Sequence, residues 1–250
     1  MDNGTYVSLS LATAMRNALD VTANNIANAN TAGFKGERVV FDSYMLRETG
    51  TEDGRETDFL IDQGSFMDPA QGAMSRTGNP LDLALQGDGW FAYEIDGGTA
   101  YGRDGRFALS PDGNLVTLNG ARVLDPGGAP IALPPDIGGE VTISQDGTIS
   151  TLAGGVIGRV GLFDLPDAQG YERIGAGMFV PPEGAADTAR PASDATRVVQ
   201  GAIEASNVQP VVEMTRLMAI QQAYERALKL VSSEDDLTRD MLRRIGDTSA

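Results

Sequence analysis

Residues 214–245 read MTRLMAIQQAYERALKLVSSEDDLTRDMLRRI. Alternating steps of three and four from Met214 select Leu217, Gln221, Tyr224, Leu228, Val231, Asp235, Thr238, Leu242 and Ile245. Most of these are apolar, and the spacing is that of a narrow helical seam rather than a broad globular face. Asp235 and Thr238 interrupt it, while Met218, Ala227, Leu230 and Met241 widen it. Pro210 lies where a helix begins, a position at which its missing N–H costs little. A single helix with such a stripe cannot repay its own ordering. Each seam side chain gains roughly 1.5–3 kcal/mol when fully buried, against about 1–2 kcal/mol of backbone entropy for every residue fixed. The seam therefore needs a partner.

The other end of the chain supplies a second stripe. Residues 5–29 place Leu11, Ala12, Met15, Ala18, Leu19, Thr22, Ile26 and Ala29 mostly three and four apart, on one helical face rich in small residues. Gly33 is expected as the glycine just past that helix. The Asn-rich run Asn24 to Asn30 reads as a poor helix end or turn on propensity. Pairing the two helices satisfies both seams. Heptads report pairing without naming the partner, so an intramolecular two-helix stalk and an assembly of copies both remain open.

Between the ends the pattern changes. Leu81, Leu83 and Leu85 alternate with polar or small residues, a period of two. Turn clusters recur at 76–80, 87–89, 96–98, 104–105 and 111–114, the cadence of a small β sandwich, barrel or meander. Asn119-Gly120 is expected to make a two-residue hairpin loop. Residues 166–200, rich in Gly, Pro and Ala, read as a long loop with one strand at 178–180. In 34–75, Val39 to Leu46 reads as strand or short helix, and Thr49 to Asp58 as a polar loop. The expected class is α+β, with a discontinuous, coiled-coil-like helical domain flanking an all-β middle. Its parts are a helix in 1–35, a connecting segment 36–75, the β domain 76–200 and a helix in 201–250.

Composition narrows the function. The formal charge is −16, which opposes a nucleic-acid partner. The excess lies in the middle: 211–245 balances its acids and bases, and the first thirty residues carry only Asp2, Arg16 and Asp20 as charged side chains. With no Cys and no His, disulfides, thiol nucleophiles and Ser-His-Asp triads are excluded. Gly155, Gly158 and Gly161 lack the spacing of a dinucleotide loop. The Asp-Gly pairs are turns rather than calcium loops. No cofactor, metal or catalytic residue is expected. No basic stretch precedes Arg16, and no apolar run is long enough for a membrane span.

The run 23–35, ANNIANANTAGFK, resembles the N-terminal signature ANNxANxxTxGFK of the flagellar rod and hook family. Gly201 to Val208 with Glu213-Met214 is similar to its C-terminal signature. Residues 77–82, 87–91, 101–107 and 112–116 resemble motifs of its central β domain, with Gly102 where Thr is common. The resemblance implies a non-enzymatic subunit of the bacterial flagellar basal body. Such a subunit is exported by the flagellar type III apparatus without signal cleavage and is built into a periplasmic tube by its terminal helices. It also implies other rod subunits, proximal and distal, and further copies as partners. The implied assembly interface is Leu11, Met15, Ala18, Leu19, Thr22, Asn24, Asn25, Ile26 and Asn28 on the first helix. On the second it is Met214, Leu217, Gln221, Tyr224, Leu228, Val231, Leu242 and Ile245. Thr31, Gly33, Phe34 and Lys35 form the implied turn motif.

Overall fold

The computed structural model of the chain describes residues 2–47, 56–134, 141–151, 154–193 and 195–247, with side-chain environments left undefined at 2–6, 41–63, 235, 238, 242 and 244–247. In chain order the first elements are α1 (Asp2–Ala27), β1 (Glu37–Arg47), β2 (Glu56–Met67), β3 (Met74–Arg76), β4 (Leu83–Gln86), β5 (Trp90–Ile95) and β6 (Gly98–Gly102). Next come β7 (Phe107–Leu109), β8 (Leu115–Thr117), β9 (Arg122–Val123), β10 (Val141–Ile143), β11 (Thr148–Thr151), β12 (Val156–Arg159) and β13 (Leu162–Asp164). The last are β14 (Glu172–Gly175), β15 (Met178–Val180), β16 (Arg190–Pro191), β17 (Arg197–Gln200), β18 (Ala202–Glu204) and α2 (Pro210–Asp247). A helix at each end of a β-rich middle is the expected mixed α and β class.

The chain forms two compact units. One comprises Met1–Ala27, Glu37–Phe66 and Gln209–Ala250, the other Asn28–Gly36 and Met67–Val208. In the first, α1 packs along α2 and against β1, which pairs with β2. In the connecting stretch 36–75, β1 takes the strand alternative for Val39 to Leu46, β2 begins inside the expected loop Thr49 to Asp58, whose residues 49–55 lie outside the described residues, and β3 follows. On α1, Ser8, Ala12, Ala18, Thr22 and Asn25 are buried, with Leu11, Met15, Leu19 and Ile26 half-buried beside them. Small side chains at the buried positions let the partner approach closely. Helix α2 begins at Pro210, as the proline predicts, and the earlier part of the 201–250 segment is drawn into a strand at 202–204. Its first helical bond runs from the Glu213 N–H to the Gln209 carbonyl, 3.0 Å. Glu213 complements the positive helix start and holds Arg216 at 2.7 Å.

The seam of α2 differs from the expected register. Leu217, Tyr224 and Val231 are half-buried as expected, but the intervening inward positions are Glu213, Ile220 and Ala227 rather than Met214, Gln221 and Leu228. Ala227 is fully buried, whereas Met214 and Leu228 are about half exposed, at 52% and 45%. The two registers differ by one residue at alternate positions. Counting apolar residues selects Met214 and Leu228 at the two ends of the run and carries Gln221 along with them, whereas close approach to the small-residue face of α1 selects Ala227 and with it Ile220. Leu242 and Ile245 lie outside the residues whose side chains are described.

In the second unit β14-β15-β6-β5-β9-β8-β7 form one sheet, with β13 joining β5 to β16. β10-β11-β12 make a three-stranded sheet, and β17-β4 and β18-β3 are antiparallel pairs. Strand β5 is covered on both faces. Phe91 and Tyr93 enter the main core with Leu83, Leu85, Phe107 and Val123. Trp90 and Ala92 face a second cluster with Tyr101, Tyr171 and Phe179. Ala84 is as buried as its neighbours Leu83 and Leu85, so the alternation in β4 marks a strand covered on both sides. In 166–200 the expected strand at 178–180 occurs as β15, and where loop was expected around it β14, β16 and β17 add strands of two to four residues; pieces so short leave no periodicity to read. The Asn119-Gly120 turn closes by Thr117 N–H to Ala121 O, 2.8 Å, and Gly120 N–H to Thr117 O, 2.9 Å, with only Gly120 at positive φ, +88°. That is a three-residue loop rather than two, since a two-residue type I′ turn needs Asn119 left-handed as well.

The second cluster has a polar seal. The Asp187 carboxylate accepts the Tyr101 hydroxyl at 2.6 Å, the Tyr171 hydroxyl at 2.7 Å and the Ala189 N–H at 2.9 Å. Desolvation pushes this carboxyl up, but the donated hydrogen bonds outweigh it and hold it below the usual carboxylate range. Burial in turn raises the Tyr101 phenol, with Asp187 adding to the rise.

Two outcomes follow for denaturant melts. Ala227→Leu destabilises the helical unit by about 1–3 kcal/mol through overpacking, whereas Leu228→Ala stays within about 0.5 kcal/mol; the expected register would reverse that order. Asp187 stabilises the fold fully above the ordinary carboxyl pKa and loses that contribution as pH falls through its lowered one. Asp187→Asn therefore lowers stability at pH 7 by about 0.5–1.5 kcal/mol and flattens the acid limb below about pH 4.

Candidate assembly site

The implied interface residues fall into two groups, one in each unit. On α1 in the helical unit, Leu11, Met15, Ala18, Leu19, Thr22 and Ile26 line the face already spent on α2 and β1. Asn24 is exposed and Asn28, in the other unit, is half-buried. Asn25, only 2% exposed, does something more specific. Its Nδ2 donates to the Glu37 carbonyl at 2.7 Å and its Oδ1 accepts the Glu37 N–H at 2.9 Å. The amide thus imitates a strand neighbour and satisfies both backbone groups at the start of β1. That fixes the return of the chain against the helix it has just left, and sets the orientation of the amide without ambiguity. The asparagine is structural glue within the unit, where propensity alone offered a frayed end.

On α2 the outer flanks are open. Met214, Met218 and Leu228 lie to one side of the buried seam, and Leu230, Leu237 and Met241 to the other, each between 40% and 56% exposed. Three of these, Met218, Leu230 and Met241, belong to the residues that widen the sequence pattern. Of the expected interface on α2, Met214, Gln221 and Leu228 are exposed, and Leu217, Tyr224 and Val231 are half-buried against the chain itself.

The turn motif lies in the β unit, where it forms a buried hub. Helix α1 has ended at Ala27, so Gly33 is not its capping glycine. Residues 28–34 fold as turns: the Thr31 N–H meets the Asn28 carbonyl at 3.0 Å, and the Phe34 N–H the Thr31 carbonyl at 3.3 Å. Gly33 sits at φ +66°, its N–H on the Glu204 carbonyl at 2.8 Å. A Cβ there would stand 2.3 Å from the Arg103 carbonyl carbon, so shape as well as φ demands glycine. Phe34 is buried, with the Arg173 guanidinium 4.5 Å from its ring centre and 4.8 Å from that of Phe179. Arg173 also donates to the Lys35 carbonyl at 2.6 Å.

Lys35 is fully buried. Its Nζ donates to Glu204 Oε1 at 2.7 Å and to the Ala70 carbonyl at 2.8 Å. Glu204, 1% exposed, also accepts the Gly72 N–H at 2.9 Å and, on Oε2, Arg103 Nη1 at 3.2 Å. Arg103 donates its other terminal nitrogen to the Gly87 carbonyl at 2.7 Å and lies over Trp90 at 5.3 Å. Burial lowers both Lys35 and Arg103, and Glu204 opposes the fall in each. Asn207 closes the arrangement. Its Oδ1 accepts the Gly36 N–H at 2.7 Å, and its Nδ2 donates to the Asp68 and Ala70 carbonyls at 3.0 Å each. Sequence reading singled out Lys35 but not Arg103, Glu204, Arg173 or Asn207. Arg103, Glu204 and Asn207 each lie inside a quoted motif, which was their signal; Arg173 lies in the segment read as a long loop and had none.

Comparison with known proteins matches these segments. Residues 6–35 match the family profile described as flagella basal body rod protein. Residues 84–151 match the flagellar hook protein FlgE/F/G D1 domain, and residues 199–244 the flagellar basal body rod FlgEFG protein C-terminal region. The flagellar basal-body rod protein FlgF of Caulobacter vibrioides is 41% identical over 98% of this chain and 99% of its own length. The chain belongs to the flagellar basal-body rod protein family. The FlgF of Mesorhizobium japonicum is 36% identical over the full length of both chains. The FlgG rod protein of Bacillus subtilis is 32% identical over 90% of this chain and 92% of its own. The hub draws one residue from each matched segment of this rod-family chain: Lys35, Arg103 and Glu204.

Removing the shared carboxylate leaves two buried cations uncompensated. Glu204→Ala is expected to cost the β unit about 3–5 kcal/mol in chemical denaturation, and adding Lys35→Met recovers part of that loss. Gly33→Ala costs more than about 1 kcal/mol from its φ alone.

Proposed function

We propose that the chain is a structural, non-enzymatic subunit of the flagellar basal-body rod, most similar to the proximal kind, and that its terminal helices join it to neighbouring subunits. The observation carrying this is the pair of open apolar flanks on α2. The inward seam is already satisfied by α1, yet Met214, Met218 and Leu228 on one side and Leu230, Leu237 and Met241 on the other remain in water. Being about half exposed, each gains only half of the ~1.5–3 kcal/mol of full burial when covered, which favours lateral packing of helices from further subunits. Near balance of charge along 211–245 lets such helices approach without large repulsion. The coiled-coil character expected for the helical domain belongs to this assembled state, as do the exposed members of the interface, Met214, Gln221, Leu228 and Asn24.

The proximal assignment is supported by relatives named FlgF that match nearly the whole chain at 41% and 36% identity, against 32% for the FlgG relative described above. The reading places the protein in the basal body, on the periplasmic side. Other rod subunits and the flagellar type III export apparatus are its partners, and no signal is cleaved. It is supported by family membership.

Deleting residues 211–250 is expected to abolish recovery of the protein in purified basal bodies, while the β unit, which keeps Glu204 and Asn207, melts cooperatively as before. Normal incorporation of the truncated chain would overturn the helix-flank reading.

A further inference from the structure

Two sheet edges in the β unit are open and unlike each other. Among the described residues, β12 pairs only with β11, and β14 only with β15. Each edge presents one large exposed aliphatic side chain, Val156 at 73% and Ile174 at 48%. Neither strand holds a proline or a lysine, the residues that commonly blunt such edges. Beside β12 lies a recess of about 370 Å³ rimmed by Arg159 and Arg197, which outnumber Asp146. Arg159 is braced there by donating Nε to the Asp146 carbonyl at 2.7 Å. Beside β14 lies a recess of about 570 Å³ lined by Ile174 and the acids Glu172, Asp96 and Glu183. Arg173 does not offset them, because its guanidinium is turned onto Phe34 and Phe179.

We infer that β12 of one copy pairs edge to edge with β14 of the next, setting Val156 against Ile174 and Arg159 toward Glu172. Pairing like edges instead would bring arginine to arginine, or glutamate to glutamate, which opposes a two-fold dimer. An edge joined to a different edge leaves one of each free at the ends of the row, so the contact propagates, as an axial structure requires. The inference rests on the rod-subunit reading, since it places a second copy of this chain alongside the first.

The chain lacks cysteine, which makes the test direct. Residues opposed across a strand pair have Cα atoms about 4.5–5.5 Å apart, within reach of a disulfide. Cells producing the full-length chain with both Val156→Cys and Ile174→Cys are oxidised, and their basal bodies isolated. The expected result is a ladder of cross-linked copies at least tenfold more abundant than with either substitution alone. Arg159→Glu added to the pair reduces the ladder severalfold, and Glu172→Arg in the same chain restores it. Incorporation of the double-cysteine chain without a ladder, or an equal band from one cysteine alone, overturns the edge pairing and leaves the rod reading standing. Absence of the unsubstituted chain from basal bodies overturns the rod reading itself.

Discussion

The carboxylate of Glu204 is the constraint on which the β unit depends. Withdrawing it from water costs several kcal/mol, and the protein offsets that cost with Lys35, Arg103 and the Gly72 N–H at once. Two cations around one anion leave the cluster net positive, and Arg103 meets part of the remainder by lying over the Trp90 ring. An apolar replacement of the whole cluster would be cheaper to bury. What the charges add is selectivity. The arrangement of residues 28–36, 103 and 204 pairs the Lys35 ammonium, both Glu204 oxygens and both terminal nitrogens of Arg103, so sliding any of these segments by a residue strands a charge. Gly33 enforces the same fit sterically, because the backbone of Arg103 occupies the space a side chain would need. The chain thus spends its most distinctive sequence on registering its near-terminal segments against the β unit.

The helical unit is organised by the opposite economy. The fully buried positions of its inner face are small or polar, Ser8, Ala12, Ala18, Thr22, Asn25 and Ala227, with larger side chains such as Leu217 and Tyr224 half-buried beside them, while Met214, Met218 and Leu230 point elsewhere. A monomer designed only for its own stability would invert that distribution. Close approach of two helices through small residues frees the bulky ones for contacts outside the chain, at little cost to the internal pairing.

The sequence made the helices and the turn-rich middle legible because each has a period or a punctuation long enough to count. Leu217, Tyr224 and Val231 could be placed on the seam for that reason. The choice between Ala227 and Leu228 could not, since it depends on the width of the space beside α1, which hydropathy does not encode. Strands such as β16, two residues long, lack any period. The hub was half visible. Lys35 stood in a recognisable motif, but its partner lies 169 residues away, and no local rule joins them. Asn25 was noticed for its type, but its partner could not be read: a side-chain amide pairing with the Glu37 backbone looks, in one dimension, like any asparagine near a helix end.

That separation along the chain bears on when the molecule becomes itself. Bringing ends so distant together costs about 4.5 kcal/mol in loop-closure entropy, before a length-independent constant, (3/2)RT ln n for n of 169. Contacts of such high order place a protein among the slower folders. During synthesis the Lys35–Glu204 contact cannot form until Glu204 has been polymerised, so the shared carboxylate is the last charged member of the hub to arrive. The latch that makes the finished unit definite therefore closes only once residue 204 of the chain's 250 has been made.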